Sequence, residues 1–159
     1  MNRRMFVASL ALAALAVLGI VGPTTAGEQV PFQGSYEGSF TFTPLEPPLQ
    51  LVVAIGEGQA TQLGHFSFVF PLIANTALRT GSGTYTFTAA NGDTVVADVV
   101  TYSTLLPSGL RLVEEIGIIT GGTGRFAGAT GSFTGERLLN RTTREVIGFF
   151  DGTISSPGN

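Results

Sequence analysis

From Phe32 to Thr43 the chain alternates between two kinds of residue. Phe32, Gly34, Tyr36, Gly38, Phe40 and Phe42 fall on one face, and Gln33, Ser35, Glu37, Ser39, Thr41 and Thr43 on the other. A period of two is that of a strand with one buried and one wet side. The glycines set among the aromatics suit a curved sheet, because a residue without Cβ relieves crowding where strands bend.

The same period predicts the rest of the chain. A proline-rich turn, Pro44 to Pro48, leads to a second strand, Leu49 to Gly56, and after Glu57-Gly58 a third runs from Gln59 to Phe70 with Phe66, Phe68 and Phe70 on one face. Pro71 to Arg79 reads as loop and Gly83 to Thr88 as a fourth strand. Asn91-Gly92-Asp93 is a hairpin signal, since a tight turn needs positive φ and Asn-Gly supplies it. Strands follow at Thr94 to Tyr102, Leu110 to Ile119, Thr130 to Leu138 and Val146 to Ser155, with no helix longer than a turn. Eight strands are about the number at which a closed barrel encloses just enough room for side chains or one small ligand. A two-sheet β-sandwich of the same strands is the alternative.

The N-terminus has a different pattern. Arg3 and Arg4 precede an apolar run from Met5 to about Val21, and Thr24-Thr25-Ala26 supplies small residues for cleavage. Residues 1–26 therefore read as a signal peptide, with an uncleaved anchor as the alternative, and residues 27–159 as one β-barrel domain exported to the periplasm or beyond. Arg3-Arg4-Met5-Phe6-Val7 also resembles a twin-arginine signal, which would mean export after folding. There is no cysteine, so burial and hydrogen bonding must hold the domain without disulfides.

Charge narrows the partners. The formal net charge is −3, every basic residue is arginine, and loss of Arg3 and Arg4 makes the exported form more acidic still. That balance argues against nucleic acid and against docking on anionic lipid, both of which need clustered cations. A small apolar ligand or an envelope partner fits better, with no membrane span after signal cleavage and no cofactor implied.

The run Ile118-Ile-Thr-Gly-Gly-Thr-Gly-Arg-Phe-Ala-Gly-Ala-Thr-Gly-Ser-Phe-Thr-Gly135 is a glycine-studded turn between two strands. It resembles the signature of the allene oxide cyclase and dirigent-type barrels. Gly58 to Gly64, Ala89 to Asp93 and Phe150 to Ile154 are similar to further landmarks of small exported bacterial members. The resemblance implies a single antiparallel eight-stranded barrel. Plant members cyclise an epoxide or steer radical coupling, with the barrel as a chiral mould, and no catalytic role of theirs is carried over to a residue of this chain. Gly122-x-Gly124-x-x-Ala127 also matches a dinucleotide-binding fingerprint, yet a strand resumes by Thr130 and leaves no room for the helix that motif requires.

Candidate chemistry is sparse. His65 is the one histidine and lies opposite the phenylalanines, and neither a transition-metal ligand set nor a nucleophile elbow is present. On the strand from Leu110, Glu114 interrupts a face made of Leu110, Leu112, Ile116 and Ile118, while Arg111, Val113, Glu115, Gly117 and Ile119 form the other. The next strand sets Phe133 and Arg137 on one face. Glu114 is therefore expected to project into the barrel, within reach of Arg137, or else to sit at a mouth or bulge open to water. Glu114, Arg137, Tyr36, Phe40 and Phe133 are the candidate ligand-binding residues. The functions left open are a binding or structural module and, as the alternative, a cofactor-free cyclase or isomerase using shape and one carboxylate; the phenylalanine content favours a filled interior and the first of these.

Overall fold

The computed structural model describes residues 27–158, so the export segment expected at residues 1–26 lies outside the described residues. Eight strands follow one another: β1 (Gln29–Pro44), β2 (Leu49–Ala60), β3 (Gly64–Asn75), β4 (Thr80–Ala89), β5 (Thr94–Leu105), β6 (Arg111–Gly122), β7 (Gly131–Asn140) and β8 (Glu145–Ser155). Each pairs with its sequence neighbours, and β8 returns antiparallel to β1, with Phe32 opposite Gly152 and Gln33 opposite Asp151. The sheet is a closed barrel, not a sandwich. No helix among the described residues is long and apolar enough to cross a membrane.

The alternation in β1 resolves as expected, with Phe32, Tyr36 and Phe40 buried inside and Thr41 exposed outside. Phe66, Phe68 and Phe70 of β3, Tyr85 and Phe87 of β4, Phe133 of β7 and Phe150 of β8 complete an aromatic interior. Phe70, Tyr85 and Phe87 stack nearly parallel, with centroids 3.8 Å and 4.8 Å apart, and Phe32 packs among Phe87, Phe133 and Phe150. Such offset and edge contacts add about 0.5–1.5 kcal/mol each beyond area burial. The barrel is a filled core.

Two connections fall elsewhere than expected. Glu57-Gly58 lies within β2, opposite Glu37 and Tyr36, and the chain turns later, at Thr61 to Leu63. The segment after Pro71 is not loop: β3 continues to Asn75. Pro71 is tolerated because the β3–β4 ladder is broken between Val69↔Thr86 and Leu72↔Gly83, so its missing N–H has no partner to disappoint.

The two ends of the barrel are unlike. At one end the glycine run makes a single 3-10 turn, Gly124–Phe126, that folds Phe126 inward to be buried beside Ala129. Gly124 holds φ at +58°, and a Cβ there would run into the Asp93 carboxylate. Asp93 in turn contacts the Arg125 side chain at 3.5 Å and its backbone N–H at 3.3 Å. Leu63 is also buried at this end, which is plugged. At the other end the β3–β4 and β7–β8 connections are matched turns. Asn75 accepts backbone hydrogen bonds from Ala77 and Leu78, and Asn140 from Thr142 and Thr143. Each turn then closes on an arginine with positive φ, Arg79 or Arg144.

Candidate functional site

Parity along β6 sets the polar residues of the interior. Val113, Glu115, Gly117 and Ile119 face inward, and Glu114, Ile116 and Ile118 face out. Gly117 belongs inside because the Phe133 ring occupies the space its side chain would take. The expected inward projection of Glu114 is thus overturned by one residue. Glu114 is exposed on the outer wall, opposite Glu136 of β7. The inward acid is Glu115, 3% exposed.

Arg137 does face inward, opposite Val113, and is 2% exposed. Its Nε lies 3.0 Å from Glu115 Oε1. The two atoms are close enough for a strong ion pair but lack hydrogen-bond alignment, so charge holds them together. The guanidinium also lies over the Phe70 ring, 4.8 Å from its centroid. Tyr85 donates a 3.2 Å hydrogen bond to Glu115 Oε2, and the Tyr36 and Tyr85 hydroxyls are hydrogen-bonded to each other at 2.9 Å. Tyr36, Tyr85, Glu115 and Arg137 therefore form one buried polar chain across an aromatic core.

The chain's proton affinities follow from burial. Loss of water pushes the Glu115 carboxyl above the usual carboxylate range, with Arg137 and the Tyr85 hydrogen bond opposing without cancelling it. Burial pulls Arg137 down, but the Glu115 charge and the Tyr85 and Tyr36 hydroxyls together outweigh this, and Arg137 holds its proton more tightly than a free guanidinium. Burial, and then the Glu115 charge, raise Tyr36 and Tyr85 well above an ordinary phenol.

Among the described residues, the space left inside the barrel is a cavity of about 110 Å³ at the end opposite the glycine plug. Its walls are apolar at Val52, Leu72, Val113 and Leu139 and polar at Gln50, Thr101 and Ser103. Arg79, Arg111 and Arg141 surround it, and Arg137 reaches it from the buried chain. Arg111 donates a 3.1 Å hydrogen bond to Ser103 Oγ, while Arg141 and Arg144 stack on Phe42, 4.6 Å and 4.0 Å from its centroid. Of the five candidate residues, the structure joins Tyr36 and Arg137 through Glu115 and Tyr85. Phe133 lies deep in the packed aromatics, and Phe40 is buried with the Arg144 guanidinium 6.0 Å from its ring.

The barrel is similar in fold to a known one. The solved structure of the pterocarpan synthase dirigent protein GePTS1 superimposes with a TM-score of 0.55 over 86% of this chain and 90% of that one, at 11% sequence identity. The fold is a dirigent-like barrel. No protein-family model and no curated protein matches the sequence. At this identity the likeness speaks for the fold alone, so the chemistry of this dirigent-like barrel rests on its own side chains. Sequence reasoning found Arg137 through its place beside Phe133, and it missed Glu115, Tyr85 and the ring of arginines. The ring had one visible signal, since Arg79, Arg111, Arg141 and Arg144 all stand at or next to turns.

Proposed function

We propose that this chain is a non-enzymatic binding module, a filled dirigent-like barrel that takes part of a small molecule into the mouth ringed by arginines. The observation that carries this reading is where the interior runs out of side chains. Pockets that enclose a whole ligand are roughly 300–1,000 Å³, and the mouth cavity, at about 110 Å³, admits only one end of such a molecule. The apolar ligand expected inside the barrel has no space there, because the aromatic rings fill it. A cyclase-like reading is weakened by the same packing: the one inward acid among the described residues, Glu115, is sealed beneath the cavity and does not line it. Export belongs to the same proposal, supported by the basic start, apolar run and Thr-Thr-Ala exit of residues 1–26.

An NMR-monitored screen of small molecules against the domain tests the reading. Binders should move the amide signals of Thr101, Ser103 and Val113, and Ala74→Leu, which fills the cavity wall, should abolish their binding while the domain stays folded. Binders that leave these signals still, or that ignore Ala74→Leu, would place the site elsewhere. N-terminal sequencing of exported protein should begin near Gly27.

A further inference from the structure

The barrel is acidic overall, yet its cations are gathered at one end. Five of the six arginines after residue 26, Arg79, Arg111, Arg137, Arg141 and Arg144, lie at the open end, and only Arg125 lies at the plugged one. Four of them line the same cavity. Among the described residues, Arg137 is the only one of the four with a carboxylate within ion-pair distance, and that carboxylate is Glu115. Arg79, Arg111 and Arg141 therefore crowd the cavity with positive charge that no acid answers.

We propose, building on the reading of this mouth as the ligand site, that it recognises the anionic end of its ligand, a carboxylate or phosphate group on a molecule that carries two or more negative charges. Three features support this class. The first is unfinished hydrogen bonding: the Nη1 of Arg137 is buried and has no partner, although Arg137 itself lines the cavity. A buried donor left unsatisfied is costly, and an anionic oxygen at the cavity floor is the partner it lacks.

The second is repulsion among the cations. Partial burial, and then the charges of Arg141 and Arg79, hold Arg111 below the usual arginine value. An anion placed among them turns that mutual repulsion into attraction. Planar guanidinium forks also match carboxylate and phosphate oxygens two at a time.

The third is size. At roughly 30 Å³ per water, about 110 Å³ is the volume of a few water molecules or one oxyanion group, with Gln50, Thr101 and Ser103 supplying neutral polar contacts around it. A long polyanion such as nucleic acid would need cations spread along a surface, whereas these surround a hole.

Calorimetry and thermal melts of the domain at fixed ionic strength test the proposal, with inorganic phosphate, citrate and acetate as probes and chloride as the background anion. Phosphate or citrate should bind and raise the melting temperature, and acetate, with one charge, should bind more weakly. Whichever of phosphate and citrate binds tighter assigns the group. Arg79→Gln and Arg111→Gln, both on accessible side chains, should each weaken binding about tenfold or more, the loss of one charge-assisted contact. Arg125→Gln, at the plugged end, should change nothing. Equal effects from all three variants, or no binding beyond chloride, would overturn the proposal. Neutral molecules that move Thr101 and Val113 equally well in the Arg79→Gln/Arg111→Gln double variant would sink the anion class while leaving the mouth as the site.

Discussion

A carboxylate and a guanidinium buried together among aromatic rings are each expensive to desolvate, and each is tolerated because the other is there. Removing one charge exposes that dependence. Glu115→Gln keeps the size of the side chain and strands Arg137, which is 2% exposed, with no counter-charge. The expected cost is about 3–5 kcal/mol in denaturant melts. Glu114→Gln, one residue along on the outer wall, should stay within about 0.5 kcal/mol of the parent. A mild effect at Glu115 would mean that its carboxyl is already protonated and that Arg137 stands alone. The two tyrosines add a pH dependence. Burial raises both above a phenol's usual value near 10, so between that value and the folded-state pKa the unfolded chain loses protons that the folded chain keeps. Their stabilisation is complete below about pH 10 and drains away as pH rises, at up to roughly 1.4 kcal/mol per pH unit for each hydroxyl. Melts between pH 9 and 11 should show this slope, and Tyr36→Phe should make it shallower. A slope that Tyr36→Phe leaves unaltered would show that the buried hydroxyl keeps its usual proton affinity.

At the scale of the strand, the two faces of β1 differ as sharply as the alternation implies. Phe40 is 4% exposed and Thr41 is on the outside, so Phe40→Ala should cost about 3–5 kcal/mol and Thr41→Ala far less. Comparable losses in chemical denaturation would mean that the wall of the barrel is not one residue thick there. The alternation was legible in β1 and β3 because only one of their faces is rich in aromatics. It misled in β6 because the outer wall is apolar there too: Leu112, Ile116 and Ile118 face outward, with Val100 and Tyr102 of β5 beside them. With aliphatic residues on both sides, counting hydrophobes picks the wrong face. The better clue was Gly117, an inward position emptied to admit the ring of Phe133 from the next strand. That clue is a fact about two strands at once, and no reading of β6 by itself contains it. The arginine ring was hidden for a similar reason. Its members come from positions 79 to 144 and meet only because antiparallel connections return every second turn to the same end.

For the whole molecule the decisive event is closure. The pairing of β1 with β8 joins residues far apart in the chain; the Gln33 side chain donates a 2.9 Å hydrogen bond to Asp151 across a separation of 118 residues. Bringing such ends together carries a loop-closure cost that is met before the contacts form, which makes barrels of this kind slow to fold. Once closed, the sheet has no edge strand, and no strand is left with a free row of donors at which fraying can begin. The aromatic interior reinforces this, since Phe32 of β1 and Phe150 of β8 pack 4.8 Å apart and both touch Phe87 of β4 on the far wall. Opening the seam would uncover the same core that holds β4. The barrel is therefore expected to open as one cooperative unit, without a weak join between its first and last strands. Native-state hydrogen exchange measures this directly. The most protected amides in the β1–β8 ladder should have opening free energies within about 1 kcal/mol of those in the β4–β5 ladder, near the global value. Markedly faster exchange along β1 and β8, with β4 and β5 still protected, would show that the ring breathes at its seam and that closure adds little to the stability of the whole.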